Sequence, residues 1–282
     1  MDWSKAKTIL IVAFIITNIL LGYVLLSGER QTETTIKDSF VEDVIGILDK
    51  KGIEVKGKIP REIPSLNTLT VEFENIDPHE VNMAFFQGNG ELKIKSSVAE
   101  LNYADESITI VNKKTLLYEN RSEEIDFPEL DWEKARELAL DFLAERNYDT
   151  SDMKLSHLIE KDGGFDLEFS KDYKGRYLEN TMTLLRVDRG GIKSMERIWL
   201  NVLEEGEKPI YIYTAPKAIL SLLTMEEAYG KTIEDISLCY YFDPLDQDFV
   251  NNPKDAKRGK TVPAWRVLFE DGTMIVIDNY NN

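Results

Sequence analysis

One cysteine and two histidines are all the thiol and imidazole chemistry in this 282-residue chain. With His79 and His157 78 positions apart and a lone thiol at Cys239, the usual tetrahedral Cys/His zinc site has no ligand set. A single cysteine also excludes an intramolecular disulfide, so no such staple supports the fold. Positive charge is scarce too: 34 Lys plus Arg stand against 51 Asp plus Glu, a formal net charge of −17. Nucleic-acid binding rests on cations that neutralise phosphates, so that class is set aside, as is flat adsorption on anionic lipid. Gly-rich phosphate loops are missing, since Gly163-Gly164 and Gly190-Gly191 sit between strand-like stretches and fit no phosphate-cradling spacing.

What the chain does have is one long apolar run near its start. Ile9 to Leu26 reads ILIVAFIITNILLGYVLL, 18 residues without a charge. At ~1.5 Å per residue a helix of that length spans roughly 27 Å, close to the ~30 Å of a hydrocarbon core. A cleaved signal peptide usually has a shorter apolar region and a small-x-small exit, whereas this run leaves through Leu25-Leu26-Ser27-Gly28-Glu29-Arg30. An uncleaved single-pass anchor is therefore expected at 9–26. Lys5 and Lys7 precede it, which keeps residues 1–8 in the cytoplasm and places the remainder outside. The first 30 residues sum to +1, leaving −18 on residues 31–282. Within the span, Ala13 and Thr17, and separately Asn18 and Gly22, are spaced i,i+4 and share helix faces. Small residues admit a second helix and an amide can bond across to it, so these four are the candidate partner-binding residues. A bond from Asn18 to its own helix is the competing reading.

Beyond a polar link, Ile36, Phe40, Val44, Ile47 and Leu48 predict an amphipathic helix stopped near Gly52. Leu69–Phe73 alternates as a strand, Asp77-Pro78 opens a short helix through Phe86, and four short strands fill 91–118. The acidic, Pro-interrupted stretch 119–130 is the expected linker. Asp131 caps a helix whose apolar face comprises Trp132, Ala135, Leu138, Ala139, Phe142 and Leu143. Strands follow at 154–160, 165–170, 179–187 and 193–202, then a helical region from Pro216 to Tyr229. The chain closes with strands near 236–241, 264–269 and 273–277, the last two joined by the turn Glu270-Asp271-Gly272. A helix followed by strands, twice, predicts an α+β fold with mainly antiparallel sheets: a first outer domain at 31–118 and a second at 131–282.

No catalytic constellation emerges. Neither histidine stands in a nucleophile or triad context, and Cys239 lies in the apolar stretch Leu238-Cys239-Tyr240. The acidic loop Asp243-Pro244-Leu245-Asp246-Gln247-Asp248 misses the EF-hand register. Tyr211, Tyr213, Tyr240, Tyr241 and Trp265 could line a groove, although aromatics at strand spacing are usually core. No catalytic, cofactor or metal residue is assigned, and the chain is expected not to be an enzyme.

The opening Met1-Asp2-Trp3-Ser4-Lys5, with Lys7-Thr8-Ile9 running into the span, resembles that of the YycI family of membrane-anchored regulators in Gram-positive bacteria. The order Ala215-Pro216-Lys217-Ala218-Ile219, then Leu238-Cys239-Tyr240-Tyr241, then Val262-Pro263-Ala264-Trp265-Arg266 is similar to that family's closing domain. Cys239 stands where a Gly is expected. The resemblance implies a fold similar to the C-terminal domains of YycH. It also implies two partners, a YycH-like membrane protein and the sensor histidine kinase WalK (YycG) of a cell-wall two-component system, and a role in tuning that kinase at the cell membrane. Other readings left open are a tethered binding module for a wall-derived or peptide ligand, and a carboxylate-dependent wall hydrolase.

Overall fold

The computed structural model describes residues 14–18, 36–244 and 257–278. Four helices and fifteen strands make up the described outer part, in a mixed α+β arrangement dominated by antiparallel sheet.

Local chemistry sets most element boundaries. Helix α1 (Asp38–Asp49) buries Val41, Val44 and Leu48, while Phe40 and Ile47 stand about 40% exposed. The core-facing stripe is thus rotated from the one centred on Phe40, because Val41, at i−3 from Val44, fits the helical period better. Gly52, at φ +70°, turns the chain out of α1. Helix α2 (Pro78–Phe86) starts where expected: Pro78 occupies the first turn, and the Asp77 carboxylate accepts from the backbone N–H of His79 at 2.8 Å and Glu80 at 3.3 Å. Helix α3 (Trp132–Glu145) is capped by Asp131, whose carboxylate accepts from Lys134 N at 2.8 Å. It buries Ala135, Ala139, Phe142 and Leu143, but Trp132 is 47% exposed rather than part of the core face. Helix α4 (Ala215–Ile219) continues as 3₁₀ turns at Leu220–Thr224 and Glu226–Ala228, so the expected helical region is one short helix and two tighter turns.

Two helix-plus-meander units share one sheet. After α2 come β3 (Glu91–Lys95), β4 (Val98–Tyr103), β5 (Glu106–Val111) and β6 (Thr115–Asn120). After α3 come β7 (Met153–Lys161), β8 (Gly164–Tyr173), β9 (Arg176–Asp188) and β10 (Gly191–Ile198). The last strands of the two meanders pair antiparallel, Leu117 opposite Glu196, giving the order β3-β4-β5-β6-β10-β9-β8-β7. The sheet therefore runs across the 119–130 stretch. That stretch lies against the β9–β10 turn, with Asp126 N and Phe127 N donating to Arg189 O and Lys193 Nζ donating to Ser122 O.

A second group of strands joins this sheet at β9. It comprises β1 (Glu54–Val55), β12 (Thr232–Tyr241), β14 (Val262–Phe269) and β15 (Met274–Ile277). β1 pairs parallel with β12, and β12 meets β9 through a parallel bridge, Tyr240 to Leu178. Gly57 lies so close to this group that a Cβ there would sit 2.3 Å from Glu234 O. A separate three-stranded sheet, order β11-β2-β13, is built from β2 (Ser65–Phe73), β11 (Leu200–Tyr211) and β13 (Arg258–Lys260). The expected strand 193–202 is in fact two strands in two sheets, β10 and β11, parted at Trp199.

Three hydrophobic clusters follow from this pairing. α2 and α3 cover the eight-stranded portion, with Leu101, Ile108, Leu116, Leu143, Leu167 and Leu185 near zero exposure. α1 and α4 cover β12, β14 and β15, so Val44 and Leu48 from near the chain start pack with Val267 and Phe269 from near its end. Leu69, Val71, Leu178, Leu200, Tyr240 and Phe242 fill the junction with the three-stranded sheet.

Buried charge marks two seams. Arg197, 2% exposed, grips Glu74 with Nε at 2.8 Å and Nη2 at 3.1 Å, and Nη1 donates to Thr183 Oγ1 at 2.8 Å. Its guanidinium lies 4.5 Å from the Tyr148 ring centroid and 4.4 Å from that of Trp199. At the β9–β12 junction Arg266 Nε lies 3.1 Å from Glu179 Oε1, both side chains 4% exposed, yet neither of these two atoms makes an aligned hydrogen bond. Burial pushes the Glu179 carboxyl up to about 7, outweighing the pull of Arg266 toward lower values, and Glu168 adds to the rise.

Two predictions follow from these contacts. Leu48→Ala should destabilise the fold by about 2–5 kcal/mol, with faster amide exchange in β12 and β14 and little change in β3–β6. Arg266→Met, which strands the Glu179 charge, should cost about 3–5 kcal/mol near neutral pH, and adding Glu179→Leu should recover most of it. Because the folded-state pKa of Glu179 is raised, its contribution is fully present below the ordinary carboxylate range and is lost as pH rises through about 7. Wild-type thermal stability should therefore fall relative to the double variant between pH 5 and 8; parallel pH profiles would sink this assignment.

Candidate functional site

The sequence places its candidate contact residues on the N-terminal run. Ala13 and Gly22 lie outside the described residues, as does most of the expected span 9–26. Phe14 to Asn18 is helical, with Phe14, Ile15 and Ile16 exposed at 67%, 50% and 54%. Thr17 and Asn18 are exposed as well, and the Asn18 side-chain amide donates to Phe14 O at 2.8 Å. Asn18 thus bonds its own helix one turn back. An amide carries a second N–H and a carbonyl oxygen, so this bond uses part of its capacity. Among the described residues, no helix is long and apolar enough to cross a membrane.

The side chains weighed for chemistry are dispersed. His79 is exposed in the first turn of α2. His157 on β7 has Nε2 buried without a hydrogen-bond partner, close beneath Gly272 in the β14–β15 turn. Cys239 is fully buried, its Sγ 3.4 Å from Ala264 O, and burial holds its thiol well above the usual range. Among the described residues no three His, Cys, Asp or Glu side chains gather as a metal site. Of the acidic loop, Asp243 and Pro244 are described and the rest lies outside. The aromatics divide: Tyr240 and Trp265 are core, whereas Tyr211 is 70% and Tyr213 46% exposed near the paired ends of β2 and β11, with Ile63 44% exposed. Trp265 Nε1 donates to the main-chain Tyr213 O at 2.8 Å, so the buried indole holds the backbone that carries the exposed ring.

A concavity lies elsewhere, where the β3–β4 and β5–β6 turns meet the start of α2. It has a volume of about 540 Å³. Pro78, Ala99 and Ile110 are buried in its floor, and Ile94, 60% exposed, stands on its wall. Its charged lining is mainly lysine, Lys113 and Lys114 from the β5–β6 turn and Lys257 from just before β13, with His79, Ser96, Ser97 and Asn112 as the neutral polar groups. Asp77 is the one carboxylate among the described lining residues. Its pKa is held below the ordinary range, first by the backbone N–H of His79 and then by that of Glu80, so its charge is engaged in capping α2. Lys114 Nζ lies 5.0 Å from the Phe73 ring centroid. A second concavity of about 340 Å³ adjoins through Asp77 and reaches Arg146, whose guanidinium lies 3.6 Å from the Phe142 ring centroid. Sequence reasoning passed over this cationic site. The pair Lys113-Lys114 in a strand turn was its one local signal, and Lys257 joins it only in three dimensions.

No known family model and no curated protein matches this sequence. Solved structures match in fold. An uncharacterized protein from Eubacterium rectale superposes with a TM-score of 0.51 at 13% identity, covering 84% of this chain and 94% of that one. YycH from Bacillus subtilis superposes with a TM-score of 0.51 at 13% identity, covering 84% of this chain and 61% of the YycH chain. The C-terminal domain of YpeB from Bacillus megaterium gives a TM-score of 0.39 at 9% identity, too distant to bear on the argument. The described part of this chain beyond residue 36 therefore has a YycH-like, mainly antiparallel α+β fold.

Proposed function

We propose that this chain is a non-enzymatic, single-pass membrane regulator of the YycI kind. In this reading it acts with a YycH-like partner on a WalK-type sensor histidine kinase that controls cell-wall metabolism. The observation that carries the proposal is the YycH-like fold over 84% of the chain, joined to an N-terminal opening that resembles the YycI family. The exposed apolar side chains of the helical stretch 14–18 support an anchor, since Phe14, Ile15 and Ile16 suit a lipid or helix contact better than water. The topology that follows has residues 1–8 in the cytoplasm, 9–26 in the membrane and the acidic outer part beyond it.

The mechanism is a shift of populations. A bound regulator moves a kinase between signalling states only by binding one state better, and a tenfold bias needs about 1.4 kcal/mol. One helix contact in the membrane supplies a sizeable share of that, because helix–helix hydrogen bonds there are worth about 0.6–2 kcal/mol each. The face carrying Ala13, Thr17, Asn18 and Gly22 is where that contact is proposed, with the outer sheets setting the partner's orientation.

The test is a crosslinked pull-down of the full-length chain from membranes, alongside output of the kinase's regulon. Wild type should retain the kinase and a YycH-like protein. Asn18→Leu combined with Gly22→Leu should weaken kinase retention and shift regulon output while the chain stays in the membrane fraction. Retention and output that match wild type would remove the helix contact, and absence of both partners from the wild-type sample would remove the regulatory reading itself.

A further inference from the structure

We infer that the cavity between the start of α2 and the β3–β6 turns binds a small amphiphilic anion, an apolar body carrying one carboxylate or phosphate head. This site is independent of the membrane helix and of the kinase reading.

The first support is the local reversal of charge. In a chain of net charge −17, Lys113, Lys114, Lys257 and His79 surround one opening whose described lining contributes a single carboxylate. That carboxylate, Asp77, is engaged by two backbone N–H groups of the helix it caps. The cations come from two places far apart in sequence, the β5–β6 turn and the lead into β13, so no single local element explains their meeting. Surrounded by an acidic surface, such a spot repels little and draws an anion only at close range, which favours a specific small ligand over a polyanion. The second support is the apolar floor. At about 540 Å³ the cavity lies within the range of small-molecule sites, and the exposed Ile94 and half-buried Val98 offer hydrocarbon beside the lysines, over the buried Pro78, Ala99 and Ile110.

The lining also narrows the ligand class. No Phe, Tyr or Trp is among the described lining residues, so a nucleobase has no ring to stack on. One carboxylate is too few for a divalent cation held by protein oxygens. An apolar chain with a compact anionic head uses both halves of the surface: the tail covers the floor, and the head takes ammonium donors from Lys113 and Lys257 and hydroxyls from Ser96 and Ser97.

The experiment uses the full-length chain in phosphatidylcholine nanodiscs, titrated calorimetrically with octyl phosphate and corrected with empty discs. Saturable binding is expected, with octyl glucoside and inorganic phosphate each at least tenfold weaker because each lacks one half of the ligand. Lys113→Glu with Lys257→Glu should weaken octyl phosphate by about tenfold or more, because two attractions are lost and two repulsions added. Both lysines are exposed, so the thermal midpoint should hold; Lys113→Gln with Lys257→Gln gives a milder charge loss and should weaken binding by an intermediate factor. Adding phosphatidylglycerol to the discs separates two sources of the same chemistry: competition assigns the site to a lipid headgroup, and its absence to a free amphiphile. Heat that does not saturate, equal affinity in the charge-reversed chain, or octyl glucoside binding as tightly as octyl phosphate overturns the proposal.

Discussion

Strand β9 has two edges and three partners, and the arrangement of the outer part depends on that constraint. One edge is taken by β8; the other is shared between β10 and, at Leu178, the end of β12. The chain around Leu178 is shaped to allow the sharing. Asn180 adopts φ +65° and its side-chain amide donates to Phe242 O, while Thr181 Oγ1 bonds Leu178 O and accepts from Lys171 N. Backbone groups displaced from the ladder find side-chain partners, as burial demands. Glu179 then turns toward Arg266 of β14, so the strand that bears the bridge also bears the buried ion pair across the same seam. Net stability from such a pair is small, but each partner makes the other's placement obligatory, because a lone buried charge is costly. The seam is specified by electrostatics as well as by Leu178, Leu200 and Tyr240.

Three exposed features stand apart on the described residues. The exposed apolar helix at 14–18, the braced tyrosines at the end of β11, and the cationic cavity at the end of the first meander are separate places with separate chemistries. The helix presents apolar side chains, and the cavity groups lysines beside hydrocarbon. The sheets and helices between them form a scaffold with no single moving part required.

Legibility followed the range of the interaction involved. Helix α3 and its Asp131 cap, the Asp77-Pro78 start of α2 and the Glu270-Asp271-Gly272 turn were readable because capping and turn chemistry act within three or four residues. The stripe of α1 was read one position off, since Phe40 and Val41 are both apolar and only the partner surface of α4 and β14 decides between them. The strand break at Trp199 was not readable. Apolar residues run on from Ile198 to Leu200 without a turn residue, and the strand divides because Arg197 is tied to Glu74 while Trp199 O accepts from Glu74 N, handing the chain to another sheet. The rest of β11 looks like loop but is held as strand by pairing with β2 on both sides of an irregularity at 206–208, Glu204 opposite Thr70 and Glu205 opposite Leu69 before it and Pro209 opposite Asn67 after it. Of the candidate site, the lysine pair at 113–114 was visible and its meeting with Lys257 was not.

By itself the sequence determined the kinds of element and the partition of charge: a slightly positive, apolar start followed by an acidic α+β chain short of metal- and thiol-based chemistry. Those properties are local sums, fixed by composition, period 2 or period 3.6, and capping residues. Only the tertiary structure decided that the helix at 38–49 packs with the strands at 262–277, that two meanders fuse through β6 and β10, and that three lysines from two distant segments ring one cavity in an acidic protein. Those are pairings between segments up to two hundred residues apart, and the energy that selects them comes from burial and register between partners, which no single segment encodes.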